Sequence, residues 1–390
     1  MKQIINSILD NDLYKYSMMN AVIKKFPDAK VKYKFINRGK HKFPDGFGGR
    51  LRKEVKKMEK LFLTESEKIW LEKTCPYFDH AFINYLEGYK YDSSNIGIIQ
   101  NGMDLNISIE GYWADTILWE VPVMALISEL YFIMTNEKID DEYVKTKTVN
   151  DKMGLFRLNG LHYADFGTRR RYSYQNQHDV VKQMTGRIKN SLFVGTSNTQ
   201  LAYEFGIKPI GTHAHEWFMF HAAKYGYKLA NQLAMENWTD VYRGDLGIAL
   251  ADTFTSDVFF RSFDKKFAKL YDGVRHDSGD AIEFATKVIE HYKKIGIDPI
   301  TKVIVFSDGL NPELAVKIKK FCIGKIMSSF GIGTNFSNDV GVKALNMVIK
   351  LIETKPNGEE WHDCIKLSDD IGKHTGREYE IQLCKQILNI

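Results

Sequence analysis

The sequence predicts an α/β protein in which residues 131–340 form a parallel α/β barrel, and three observations carry that expectation. From about residue 155 onwards, short apolar or β-branched runs end in Gly, Thr, Ser or Asp, and helical patterns follow. Ser191-Leu192-Phe193-Val194 leads into Gly195-Thr196-Ser197-Asn198, and Val303-Ile304-Val305-Phe306 into Ser307-Asp308-Gly309. Later units recur at roughly 25–30 residues, the size of one βα step. Polar clusters sit directly after the apolar runs, and in a barrel the residues after each strand converge on one rim. A doubly wound open sheet would gather them less completely.

Taken in order, the elements divide the 390 residues into two domains. Residues 1–130 read as an α+β layer. A helix starts near Asp10 and runs to Lys25, and Val31–Ile36 and Ile107–Tyr112 alternate as half-buried strands do. The most apolar stretch, Ile117 to Met134, is interrupted by Glu120 and Glu129 and reads as a buried helix, not a membrane span. Within the barrel, a helix spans about Asp280 to Lys294, with Ile282, Ala285, Val288, Ile289 and Tyr292 on one face and Gly296 as its stop. Another opens at Asn311-Pro312-Glu313, a cap followed by proline at the first helical position, with Leu314, Ile318 and Phe321 inward. Alternation returns at Asn346–Ile352, so the segment 341–390 is expected to join the N-terminal layer.

Composition narrows the function classes. The chain carries 54 basic and 49 acidic residues, a net charge of +5. That lean suits anionic substrates but is too weak for a nucleic-acid partner. The basic cluster Arg50, Arg52 and Lys53 reads as a solvated face. Cys75, Cys322, Cys364 and Cys384 are scattered without CxxC spacing, which points to neither zinc nor a disulfide framework and favours a cytoplasmic setting. The first residues lack a long apolar run, so no signal peptide and no membrane partner are expected.

The chemistry concentrates in a few motifs. Gly211-Thr212-His213-Ala214-His215-Glu216-Trp217 sets a histidine beside a carboxylate where a Gly-Thr turn meets an aromatic run. His215 has three readings. It can be a satisfied core histidine, or half of a metal pair with His213 on one strand face. It can also be a nucleophilic imidazole that accepts a phosphoryl group, oriented by Glu216 or another carboxylate. Arg275-His276-Asp277-Ser278-Gly279-Asp280 combines a guanidinium suited to carboxylate or phosphate with Asp277, which suits ribose hydroxyls or Mg²⁺. Asp280 reads as the cap of the helix that follows. Ser307-Asp308-Gly309 and Gly331-Ile332-Gly333-Thr334-Asn335 offer backbone N–H groups for phosphate. Asp165-Phe166-Gly167-Thr168-Arg169-Arg170-Arg171 sets a ring platform next to an anion-binding corner.

On these motifs, from Asp12-Leu13-Tyr14-Lys15 to the Gly331–Thr334 segment and the strand after it, the chain resembles the nicotinate phosphoribosyltransferases of bacterial and fungal type. The resemblance implies an incomplete α/β barrel beside an N-terminal sandwich-like domain. It implies synthesis of nicotinate mononucleotide and pyrophosphate from nicotinate and phosphoribosyl pyrophosphate, coupled to ATP hydrolysis, with Mg²⁺ carried on the substrate phosphates. His215 is then the histidine that ATP phosphorylates, and Asp277 the ribose-facing carboxylate. Tyr14 and Phe166 are the rings that sandwich the pyridine, with Tyr14 from the neighbouring subunit of a homodimer. Thr212, Arg275 and Ser197 fall at the nicotinate end and Arg169 near the substrate anions. Ser307, Asp308, Gly309, Gly331, Gly333 and Thr334 fall in the phosphate cradle. Nicotinamide-using relatives carry an aspartate where this chain has Ser197, and a carboxylate there would repel nicotinate. A metal-dependent barrel hydrolase built on His213, His215 and Asp277 is the rival from another class. A silent phosphoribosyl pyrophosphate sensor is a third reading, set against the presence of both His215 and Asp277.

Overall fold

The computed structural model describes residues 3–146, 148–186, 192–370 and 374–390, organised around two sheets. Five strands form an antiparallel layer: β1 (Lys30–Ile36), β2 (Ile96–Asn101), β3 (Asp104–Tyr112), β11 (Val348–Lys355) and β12 (His362–Asp363), in the order β12-β11-β1-β3-β2. Alternation explains the layer. Val31, Tyr33 and Phe35 of β1 are buried while Lys30 and Lys34 face out, and Leu105, Ile107 and Ile109 of β3 point the same way. The register sets Tyr33 opposite Ile109 and Phe35 opposite Ile349.

The second sheet is parallel and has six strands. These are β4 (His162–Asp165), β5 (Phe193–Thr196), β7 (Ile248–Leu250), β8 (Gly273–His276), β9 (Val303–Phe306) and β10 (Met327–Ile332), in the order β5-β4-β10-β9-β8-β7. A short strand β6 (Arg243–Leu246) precedes β7. Among the described residues the end strands β5 and β7 do not pair with each other, so the barrel is incomplete there. Ser191 lies outside the described residues, and the strand it was expected to start begins at Phe193.

Capping and burial account for the helices between strands. Asp280 caps the helix Ala281–Lys294 by accepting from the N–H groups of Ile282 (2.8 Å) and Glu283 (2.9 Å). Its buried face is Phe284, Ala285, Val288, Ile289 and Tyr292, with Ile282 only half-buried, a stripe rotated from the expected one. Asn311 caps the helix Pro312–Cys322, whose buried residues include Ala315 and Ile318 while Leu314 and Phe321 are half-buried.

The layer and the barrel share one core. Trp113 packs on Phe220 (4.5 Å between ring centroids) and Phe26 on the same ring (4.6 Å), with Trp217 alongside. Truncating one such ring to Ala costs about 3–5 kcal/mol. The stretch Trp113–Thr135 is long and apolar enough to cross a membrane, yet 78% of its most apolar window is buried inside the fold, so it is a core helix. The C-terminal segment departs from expectation. β11 and β12 join the antiparallel layer, but the chain beyond them turns to the barrel, where the Leu367 N–H donates to the Thr253 carbonyl (2.8 Å) and Arg261 to the Leu388 carbonyl (2.6 Å).

Candidate active site

Each of the six parallel strands delivers site residues just after its C-terminal end. Phe166 follows β4, Ser197 follows β5, Asp252 and Thr253 follow β7, Asp277 follows β8, Ser307-Asp308-Gly309 follow β9, and Gly333-Thr334 follow β10. The rim is therefore one site.

His215 opens the helix His215–Tyr225 and is buried. Its Nδ1 lies 3.0 Å from the Thr253 hydroxyl, and its Nε2 lies 3.0 Å from Asp277 Oδ2 and 2.7 Å from Lys366 Nζ. Lys366 also reaches Asp252 (3.2 Å), and Asp252 accepts from Ser278 (2.5 Å). Burial, followed by the Lys366 ammonium, holds the imidazole down at about 4 against the pull of Asp252 and Asp277. His215 is thus neutral at pH 7. In the tautomer protonated at Nδ1 the ring donates to Thr253 and Nε2 accepts from Lys366, the arrangement a nucleophilic imidazole needs; in the other tautomer Nε2–H donates to Asp277. Burial would raise Asp277, but Arg275 and the His215 contact outweigh it and hold the carboxyl well below the usual range. Ser307 donates to Asp277 Oδ1 (2.9 Å), and Arg275 stands 3.5 Å from Oδ2 while donating to the His213 carbonyl (3.2 Å).

Two expectations around this histidine change. His213 and His215 do not share a strand face, because the chain leaves strand geometry before the helix begins at His215. His213 is instead boxed between Trp238 (4.7 Å) and Phe218 (5.2 Å). Glu216 does not orient the ring. One residue on in the helix, it points the other way and binds Lys15 through both carboxylate oxygens at 3.1 Å, and Asp277 takes the orienting role. His215, Asp252 and Asp277 form the group able to converge on a cation, with ligand atoms within 4.8 Å of one another.

Phe166 lies against Gly331, where a Cβ would come within 2.3 Å of the ring carbons. Gly331, expected in the phosphate cradle, sits inside β10 with the Phe166 ring seated on it. Gly309, Gly333 and Thr334 stay on the rim, with Gly333 preceding the short helix Thr334–Ser337. Tyr14 is the second residue of the helix Leu13–Lys25, and its backbone crosses Gly211 so closely that a Cβ there would lie 2.9 Å from the Tyr14 nitrogen. Its hydroxyl is 3.5 Å from Glu120, which also meets Arg169 (3.3 Å). The first helix therefore seats the Tyr14 backbone against Gly211 of its own chain. Thr212 donates to the Ile248 carbonyl (3.1 Å) and accepts from Ser17 through its own carbonyl.

Ser197 is buried and donates to Asp12 (2.8 Å), so its hydroxyl is engaged within the protein. The three arginines divide. Arg171 is fully buried and grips Asp10 through two bonds of 2.7 Å, tying the N-terminal loop to the barrel, whereas Arg169 has a side chain 43% exposed at the site. Burial, then the charges of Arg169 and Arg38, bring Arg170 down to about 10. Burial, then Lys366, bring Lys350 down to about 8. Arg38 and Arg169 act on both Arg170 and Lys350, and Lys366 acts on Lys350, so these cations form one connected field that polyanions neutralise.

Sequence reasoning missed Asp252, Thr253, Glu120, Arg38, Lys350 and Lys366. Asp252-Thr253 carried a usable signal, since Ile248-Ala249-Leu250 is another apolar run ending in polar residues. The lone lysines carried none.

Such a rim, with a neutral histidine, a strongly acidic carboxylate and gathered cations on an incomplete barrel, defines a group-transfer enzyme acting on phosphorylated substrates. Comparison makes the class particular. Residues 161–389 match the model of the nicotinate phosphoribosyltransferase (NAPRTase) family, and residues 9–128 match the model of its N-terminal domain. A nicotinate phosphoribosyltransferase of Chromohalobacter salexigens is 54% identical over 385 residues, covering 99% of this chain and 98% of the relative. One from Desulforapulum autotrophicum is 50% identical, covering 99% of both. The crystal structure of the Porphyromonas gingivalis nicotinate phosphoribosyltransferase superposes with a TM-score of 0.95 at 42% identity, over 99% of this chain and 100% of that one. The chain belongs to the nicotinate phosphoribosyltransferase family.

Proposed function

We propose that this rim joins nicotinate to the ribose of phosphoribosyl pyrophosphate and that His215 couples the transfer to ATP. Family membership carries the activity: nicotinate and phosphoribosyl pyrophosphate become nicotinate mononucleotide and pyrophosphate. The pyridine nitrogen attacks the anomeric carbon as the bond to pyrophosphate breaks. Positive charge builds on the ribose, and Asp277, ionised across the working pH range, stabilises it. Phe166 and Tyr14 offer flat faces to the ring, whose orientation is most of the catalytic task. Arg275 supplies a cation for the base carboxylate, and Arg169, expected near the substrate anions, meets the same Glu120 that the Tyr14 hydroxyl approaches and is assigned to the base end with it. Arg38, Arg170, Lys350 and Lys366 supply cations for the phosphates.

The observation that supports ATP coupling is the His215 environment, with a neutral ring, Nδ1 held by Thr253 and Nε2 facing a cation. The γ-phosphoryl group passes from ATP to Nε2 as its bond to the β-phosphate breaks and ADP leaves, and water later removes it as inorganic phosphate. Asp252 and Asp277 are oxygen donors of the kind Mg²⁺ takes, and Asp252 Oδ1 is buried without a hydrogen-bond partner, so the residues fit a metal that arrives on the substrate phosphates. When bound, Mg²⁺ neutralises the leaving pyrophosphate. The test assays nicotinate mononucleotide from nicotinate, phosphoribosyl pyrophosphate and Mg²⁺, with and without ATP. ATP should stimulate the wild type and leave His215→Asn unchanged; stimulation of both would remove His215 from the coupling.

From the family resemblance we also infer that Tyr14 reaches the site of the neighbouring subunit in a homodimer. Mixing inactive Tyr14→Ala and Asp277→Ala proteins after dissociation and reassociation should then restore activity, because a hybrid dimer holds one intact composite site. No recovery, despite confirmed heterodimers, would count against the shared site.

A further inference from the structure

Lys15 takes no part in the transfer chemistry described above, yet it is the most enclosed charge near the site. Its side chain is fully buried, with Nζ 2.6 Å from Glu120 and 3.1 Å from each oxygen of Glu216. Three elements meet on this ammonium: the first helix, which carries Tyr14; the helix opening at Glu120; and the helix opening at His215, in which Glu216 is the second residue. Glu120 is shared. One oxygen holds Lys15, and the other stands 3.3 Å from Arg169.

That sharing matters for an anionic base. A buried carboxylate left to itself beside Arg169 would close on the guanidinium as a two-bond pair. It would also repel a second carboxylate arriving at the same cation. With Lys15 matching its charge at 2.6 Å, Glu120 makes only one long contact to Arg169, whose remaining N–H groups and 43% exposed side chain stay open to the site.

We propose that Lys15 is a positioning residue for the base: by matching the charge of Glu120 while also holding Glu216, it keeps Arg169 available to the nicotinate carboxylate. The inference rests on the reading of Arg169 as a base-end cation, and that reading has its own control. Arg169→Gln should raise the KM for nicotinate, and an unchanged KM would remove Arg169 from the base end whatever Lys15 does.

The test compares three variants, with KM for nicotinate and for phosphoribosyl pyrophosphate measured separately. Lys15→Met should raise the nicotinate KM roughly tenfold or more, the scale of one lost charge-assisted contact, with the other KM little changed. Lys15→Met/Glu120→Gln and Lys15→Met/Glu216→Gln restore the buried charge balance equally. A purely structural lysine predicts that both doubles behave alike. Positioning predicts that only the double lacking Glu120 recovers the wild-type nicotinate KM. Equal recovery, no recovery, or a rise in the KM for phosphoribosyl pyrophosphate alongside that for nicotinate would overturn the inference. Should Lys15→Met not fold, the two doubles decide the matter by the same criterion.

Discussion

At the barrel rim most contributing residues follow a strand, with His215 at a helix start and Arg275 within β8, whereas the antiparallel layer and the segments that pack with it contribute singly. The rim supplies Phe166, Asp252, Thr253, Asp277 and Ser307 from one repeated rule of βα geometry. The other side supplies Lys15 and Tyr14 from a helix, Glu120 from a helix start, Lys350 from β11 and Lys366 from the tail. In the proposed reaction the rim residues meet the reacting atoms, Tyr14 adds a ring face, and the charges from the other side surround them. Lys366, 2.7 Å from His215, is one of the points where the two regions touch.

The largest expected effect breaks the rim. His215→Ala should abolish acid-labile labelling from γ-labelled ATP and with it ATP hydrolysis, while circular dichroism stays unchanged. Labelling that persists would move the acceptor elsewhere. Asp277→Asn should lower kcat on the order of 100-fold, the cost of one group aimed at developing charge, measured at saturating substrates. A loss confined to KM would make Asp277 a binding group only.

The layer's share is tested at Lys366. Removing this ammonium in Lys366→Met takes away a charge that depresses the His215 imidazole, so its titration should move up from about 4 towards the ordinary 6.5. Labelled-histidine NMR across pH reads this directly, and an unmoved resonance would mean that burial alone sets the value.

A smaller effect spans both regions. Burial depresses His213 well below 6.5, His215 to about 4 and His221 to about 3. Each contributes stability that is present above the unfolded value of 6.5 and lost as pH falls towards the folded value, at about 1.4 kcal/mol per pH unit per imidazole. Asp165, pushed up to about 6 by burial, titrates in the opposite sense and offsets part of this. Urea midpoints at pH 7 and pH 5 should therefore differ less in His221→Phe than in the wild type; equal differences would exclude His221 from the acid sensitivity. Smallest of all, Ser197→Ala removes one donor from Asp12 and should cost about 1 kcal/mol with little change in the preference for nicotinate.

The same contrast explains what the sequence made legible. A strand end followed by Gly, Ser, Thr or Asp is a local pattern, so Phe166, Asp277 and Ser307 could be read before any coordinates. The role of Gly331 could not, because the pattern Gly-Ile-Gly-Thr looks the same whether a glycine receives a phosphate or an aromatic ring. Glu216 misled for a geometric reason: adjacent residues at a helix start point about 100° apart, so a neighbour in sequence is seldom a neighbour at the ring. Lys366 and His215 are 151 positions apart, and no spacing rule reaches that far.

The pairing of β1 with β11 has a consequence for how the protein is made. β1 ends at Ile36 and β11 begins at Val348, yet they lie side by side in the middle of their sheet. On the ribosome, β1 waits through the synthesis of the whole barrel with one edge open, and open edges invite pairing with other chains. The lysines on its outward face, Lys30 and Lys34, lie along that waiting strand and discourage such encounters. A chain stopped before residue 348 would carry every strand of the barrel and still leave that edge unpaired. Late translational arrest should thus yield aggregates, not a slow enzyme.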